Sequence, residues 1–229
     1  VVPVRTGNTT FIKKFMDLLV IPNIENSYLA ERTRDELPQS ASGKTIMTTE
    51  PKFIPKEAAE RPMEDMKIKI RVSVGVGFMI PGAGGNLENG QERLVKTPWF
   101  DYEVPFTKAA EYGTRKVIRD HSTIGILVTA DGSFGEIPRD SYVEAEKKTV
   151  AELNEICNAF LVLVNSERPY SKATQALTEK LAKEYGTSVM AVNCDQLRQE
   201  DILEILKNVL LEFPLSSGGF YLPKWVERC

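Results

Sequence analysis

Between residues 123 and 213 the chain repeats one pattern three times: a short apolar run, then a longer amphipathic segment. The runs are Thr123-Ile124-Gly125-Ile126-Leu127-Val128-Thr129, Ala159-Phe160-Leu161-Val162-Leu163-Val164 and Ser188-Val189-Met190-Ala191-Val192. The segments that follow, 140–156, 171–185 and 198–213, place apolar residues at helical spacing. A strand that is apolar along its whole length needs cover on both faces, and a parallel sheet with helices on either side supplies it. Right-handed crossovers then give an α/β fold, a three-layer, doubly wound, mostly parallel sheet. Ligands of such sheets sit beyond the carboxyl ends of the strands. The loops after Val4, Val76, Thr129 and Val164 are expected to open there.

The first half is less regular. Val1 to Val4 reads as the end of an apolar strand. Phe11, Ile12, Phe15, Met16, Leu18 and Leu19 predict a helix over 10–20 with one buried face. A charged segment over 26–37 has helical period, and 38–51 is a polar loop rich in Ser, Thr and Gly. Met66, Ile68, Ile70, Val72, Val74 and Val76 alternate with Lys67, Lys69, Arg71 and Ser73, which predicts a strand over 66–76. The Gly/Pro-rich stretch 81–98 is too long for a simple turn and reads as a functional loop. Residues 106–121 read as a helix.

Composition narrows the function classes. With 229 residues, 42% of them hydrophobic, the chain can bury a substantial core. A net charge of -3 offers no basic excess for nucleic acid. No apolar run is long enough to cross a bilayer, and no signal peptide opens the sequence. It begins without Met inside an apolar strand, so a fragment is expected. Cys157, Cys194 and Cys229 are widely spaced without a C-x-x-C, which suits buried or incidental thiols in a reducing compartment. His121 is the single histidine. A zinc site is therefore not expected, and His121 reads as a residue that caps or packs near a strand start.

The candidate chemistry starts at Val1-Val2-Pro3-Val4-Arg5-Thr6-Gly7-Asn8-Thr9-Thr10. It has the outline of the phosphate-binding turn G-x-x-x-x-G-K-[ST]. Gly7 and Thr9 match the second Gly and the magnesium-binding hydroxyl. Val2 replaces the first Gly, and Asn8 replaces the Lys. Backbone N–H groups from Thr6 to Thr10, at a helix N-terminus, can still face an anion. Losing the charged contact to phosphate costs about 2–4 kcal/mol of transition-state stabilisation. An ordinary strand–turn–helix without a ligand is the alternative.

Three further segments bear on the same site. Nucleotide switches end the strand of Val72-Ser73-Val74-Gly75-Val76-Gly77 in Asp-x-x-Gly, where the Asp holds magnesium through water and the Gly N–H meets the γ-phosphate. Gly77 is in place, but Val74 stands at the Asp position, so a buried strand end is the plainer reading. Gly43-Lys44-Thr45 imitates a phosphate turn, yet Pro38 occupies the first Gly position and no strand precedes it. It reads as a switch loop in which Thr48 or Thr49 senses the γ-phosphate and magnesium, or as a solvated loop. Finally, Asn165-Ser166-Glu167-Arg168 stands where GTPases carry Asn-Lys-x-Asp. Arg168 replaces the guanine-reading Asp, which favours an adenine nucleotide; Asn165 can equally be a turn residue.

The order of these motifs, with several longer strings, resembles the stage IV sporulation protein A family of spore coat morphogenetic ATPases. The strings include Asp35-Glu36-Leu37-Pro38-Gln39-Ser40-Ala41, Gly43-Lys44-Thr45-Ile46-Met47-Thr48-Thr49-Glu50-Pro51, Lys96-Thr97-Pro98-Trp99-Phe100 and Asp131-Gly132-Ser133-Phe134-Gly135. The resemblance implies a translation-factor-like P-loop ATPase domain over 1–213, its first strand truncated, and a tail over 214–229 towards a missing middle domain. It implies ATP and Mg2+ as cofactors, both weakened or lost here. Arg5, Thr6, Gly7, Asn8, Thr9, Thr10 and Asn165 become nucleotide-binding candidates. Thr9 is the metal candidate, and Thr48, Thr49 and Gly77 are the catalytic ones. It further implies polymerisation into the basement layer of the spore coat, at the outer forespore membrane in the mother-cell cytoplasm. The implied partners are other copies, other coat proteins and a small amphipathic anchoring peptide, with no nucleic acid. Two readings stay open: an ATP-hydrolysing assembly protein, and a scaffold that has lost turnover through Val2, Asn8 and Val74. A GTPase switch is weaker because of Arg168.

Overall fold

The computed structural model describes residues 6–38, 52–63, 66–75, 77–81, 87–88, 90–135, 137–156 and 159–213. The expected strand end at Val1 to Val4, the switch loop with Gly43, Lys44, Thr48 and Thr49, Cys157, and the tail 214–229 lie outside them.

The predicted alternation of strands and helices emerges with a parallel three-stranded sheet. Its strands are β7 (Gly125–Ala130), β8 (Phe160–Asn165) and β9 (Val189–Val192), in the order β7-β8-β9. Gly125 pairs with Phe160 and Ala130 with Asn165, in register along the whole edge. Between and after these strands run α4 (Asp140–Ile156), α5 (Lys172–Tyr185) and α6 (Gln199–Leu211). Every residue of the central strand β8 is buried. Side chains alternate across a strand, so β8 serves two cores. Leu161 and Leu163 pack with Phe11, Ile12 and Phe15 of α1 (Asn8–Phe15) and with Ile202, Ile205 and Val209 of α6. Phe160, Val162 and Val164 pack with Ile118 of α3 (Phe106–His121), with Val150 and Leu153 of α4, and with Leu181 of α5. Fully burying one such Leu or Phe contributes about 1.5–3 kcal/mol, which is why the sequence keeps β8 free of polar groups up to Asn165.

Local chemistry sets the helix ends. Gly7 caps α1 with φ 88, in the left-handed region that glycine enters without a Cβ penalty. Asn26 accepts from the N–H groups of Tyr28 and Leu29 to start α2 (Ser27–Asp35), within the predicted charged helix. Ser171 does the same for α5 through Thr174. Past Phe15 the predicted helix loosens into a π-helical stretch, Met16–Val20, and a 3-10 turn, Ile21–Asn23. Pro22 has no N–H to continue an α-helix.

The structure corrects the reading of the middle of the chain. Residues 52–63 form β1 (Lys52–Met63), antiparallel to β2 (Met66–Val74), where no strand is expected from the sequence. Pro55, Pro62 and the charged residues of β1 break its alternation, so its pairing with β2, not its own pattern, makes it a strand. The stretch 81–98, read as a loop, contains β3 (Leu87–Glu88), β4 (Gln91–Glu92) and β5 (Leu94–Thr97); β5 pairs with β6 (Phe100–Pro105). The expected strand 66–76 ends two residues early. Among the described residues the strands thus form four separate sheets, three antiparallel hairpins and the parallel β7-β8-β9. His121 ends α3 and meets the Phe53 ring edge-on at 4.8 Å, which fits its expected packing role.

Candidate functional site

The carboxyl ends of the parallel strands, with the turn before α1, hold most of the described candidates. Thr6 is buried, and Gly7 accepts the first helical bond from Phe11 N–H at 2.9 Å. Asn8, Thr9 and Thr10 form the first turn of α1, with no acidic residue among them to repel an anion. Asn165, the last residue of β8, braces this turn. Its Nδ2 donates to the Thr6 carbonyl at 3.2 Å, and its Oδ1 accepts from the Cys194 N–H at 3.0 Å. A Cβ at Gly7 would lie 2.4 Å from Asn165 Nδ2. The glycine is thus required twice, by its dihedral and by the approach of the amide. One buried amide couples the turn before α1 to the loop after β9.

The other described candidates are engaged by neighbours of their own. Val74 ends β2, half-buried, and packs with Ile70 and Val72 against the core that contains α1. Gly77, at φ 88, donates its N–H to Thr114 Oγ1 of α3 at 3.1 Å. That amide is the group expected to meet a γ-phosphate, and α3 already engages it. Arg5, Thr48 and Thr49 lie outside the described residues, as does Val2. Among the described residues no group of three or more His, Cys, Asp or Glu side chains could hold a metal ion. The turn fits an anion, since its glycine geometry and N-terminal helix turn are intact. Val74, at the position where nucleotide switches carry the magnesium-organising Asp, has methyl groups and no oxygen to order metal-bound water.

Polar groups at the same strand ends form a stitched layer that sequence reading did not assign. Asp131 Oδ1 accepts from the Ser133 N–H at 2.9 Å and from its hydroxyl at 2.5 Å, and Oδ2 accepts from Thr174 Oγ1 at 3.4 Å. Burial alone pushes the Asp131 carboxyl up, but hydrogen bonds from Ser133, Ser166 and Thr174 outweigh it and hold the group below the usual range. Ser133 Oγ in turn accepts from the Glu167 N–H at 2.9 Å. The string Asp131-Gly132-Ser133 after an apolar strand is an Asx-turn signal that could have revealed this layer. Behind it, buried Glu146 of α4 pairs with Arg139, whose Nη2 lies 2.7 Å from Oε2, and accepts from Thr129 Oγ1 and, at 3.1 Å, from Tyr185 Oη. Burial, then the Glu146 charge, raises the Tyr185 hydroxyl. Burial pushes the Cys194 thiol up to about 12, so it stays protonated and unreactive at neutral pH.

A cleft of about 580 Å³ lies away from this chemistry, between β2 (Lys69 to Ser73) and the start of β7, over Phe11 and Phe15 of α1 and Leu206 and Leu210 of α6. Of the described turn candidates only Asn8 reaches it. Its walls mix these apolar side chains with Lys69, Arg71 and His121.

A helix opened by a left-handed glycine, beside a parallel sheet and braced from a neighbouring strand end, defines an α/β domain with a turn suited to an anion. The family model for stage IV sporulation protein A, ATPase domain, matches residues 1–214, and the chain belongs to that family. It is 47% identical over 224 residues to stage IV sporulation protein A of Bacillus anthracis, covering 97% of this chain and 46% of the relative. The protein of that name from Clostridioides difficile (strain 630) is 49% identical over 226 residues, 98% of this chain and 46% of its own length. That from Bacillus subtilis (strain 168) is 46% identical over 224 residues, with the same 46% share of its length. The chain spans about half the length of these relatives. No described helix is long and apolar enough to cross a membrane.

Proposed function

We propose that this chain serves in spore coat assembly as a scaffold that keeps the architecture of an ATPase domain and has lost turnover. The observation that carries the reading is the pairing of Asn8 at the head of α1 with Val74 at the end of β2. Together they remove the cation that reaches the terminal phosphates and the carboxylate that orders magnesium. Each loss lowers the rate roughly 10²-fold or more if the two act independently, and less in combination because they surround one phosphate. The bond from Gly77 to Thr114 supports the same reading, since a γ-phosphate would compete with it. On this reading the sheet is doubly wound and of the translation-factor-like class. The protein works at the outer forespore membrane in the mother-cell cytoplasm, with further copies, other coat proteins and an amphipathic anchoring peptide as partners.

The turn itself favours a second reading, ATP-hydrolysing assembly. Gly7 keeps its left-handed cap and Thr9 stands in the first turn of the helix; on this reading Thr9 meets magnesium and backbone N–H groups from Thr6 to Thr10 cradle phosphate. Calorimetric ATP titration with and without Mg2+, beside phosphate release, separates the two. The scaffold reading expects weak, metal-indifferent binding and no release above blank. It also expects Val2→Gly, Asn8→Lys and Val74→Asp together to tighten ATP binding at least tenfold. Brisk magnesium-dependent ADP formation by the unaltered chain, or equal affinity in the restored one, refutes it.

A further inference from the structure

Among the described residues the hairpin of β5 and β6 has two open edges. Each strand pairs only with the other among the described residues. Pro98 and Pro105 stand at the turn and at the strand end, so neither blunts an edge in the way edge prolines do. Thr97 and Val104 are buried, while Leu94, Lys96, Asp101, Tyr102 and Glu103 are exposed. Tyr102 is 60% and Leu94 56% accessible, which is high for large apolar side chains. The charges are divided by strand: β5 exposes Lys96, and β6 exposes Asp101 and Glu103. None of the three forms an ion pair among the described residues.

We propose that this hairpin is a head-to-tail assembly surface, on which the β5 edge of a second copy of this chain adds to the β6 edge of the first. The inference deepens the coat-assembly reading and rests on it. The hairpin is antiparallel, so simple repetition places β6 of one copy antiparallel to β5 of the next. Lys96 of the incoming strand then lies among Asp101 and Glu103, and opposite charges across strands are favourable. Leu94 meets Tyr102. A second β6 in that place would set acid against acid, so the charge pattern selects a repeating contact over a two-fold one. A repeating contact uses two different patches and does not close on itself, so it grows into a filament. A four-residue edge buries little surface, so each contact is weak and screened by salt.

The test uses the full-length protein, with pelleting and sedimentation velocity at low and high salt and circular dichroism as a check on folding. Lys96→Glu makes both edges acidic, and Asp101→Lys with Glu103→Lys makes both basic. Each variant alone is expected to lower the pelleted fraction at least fivefold. An equimolar mixture restores it, because acidic β5 then meets basic β6 and the reverse. A variant damaged only in folding is not rescued by mixing. If the unaltered protein pellets and folded variants pellet equally, or mixing restores nothing, the surface assignment is overturned while the assembly reading stands. If the unaltered protein stays monomeric at every concentration, both fall.

Discussion

Asn165 shows how much one side chain can decide. It ends a fully buried strand, where a polar residue is tolerated only if its hydrogen bonds are made inside the protein. Both ends of its amide are used, on Thr6 and on Cys194. Sequence reading placed it at the right end of the right strand, as a nucleotide or turn residue. It could not assign the partners, which are 159 and 29 positions away. Asn165→Ala takes a donor from the Thr6 carbonyl and leaves the buried Cys194 N–H without its acceptor, and a buried group so stranded costs about 1–3 kcal/mol. We expect the urea midpoint to fall by an amount equivalent to at least ~2 kcal/mol, with added ATP restoring little of it. Wild-type stability in that variant contradicts the bracing role.

At the scale of elements, the second half of the chain was legible because each strand and helix carries its own signal. Ser171 before α5 shows this: a hydroxyl three residues ahead of Thr174 accepts its N–H at 3.2 Å. Ser171→Ala is expected to cost about 1 kcal/mol, seen as a matching loss in urea stability; hydrogen-exchange protection should fall first over the opening turn of α5. Unchanged protection there shows that the cap is idle. The middle of the chain was illegible for the opposite reason. β1 has no periodicity of its own and exists because β2 offers an edge, from Lys52 opposite Val74 to Met63 opposite Met66. Hairpins as short as β3–β4 fall below any pattern window and hide inside a Gly/Pro-rich stretch.

Across the whole molecule, the Glu146 cluster joins elements that no local rule connects. Thr129 of β7, Arg139 of the following loop and Tyr185 of α5 all meet one carboxylate on α4, which has no solvent exposure. Glu146→Leu strands a largely buried guanidinium, and breaking such a pair costs about 3–5 kcal/mol. The double change Arg139→Leu with Glu146→Leu is expected to recover more than half of that loss in chemical denaturation. Equal stability of the single and double variants refutes the pairing account. This cluster, with the Asp131 layer above it, ties the strand ends to α4 and α5.

The sequence alone determined the parallel sheet, its helices, the two anomalous positions Asn8 and Val74, and the family. Those follow from periodicity, caps and local strings, which a chain carries whatever its surroundings. Only the tertiary structure decided that Asn165 and Glu146 are internal braces, that Gly77 is engaged by α3, and that 52–63 is a strand. Each of these depends on a partner far along the chain, and such a contact gains its free energy only when folding brings the two together.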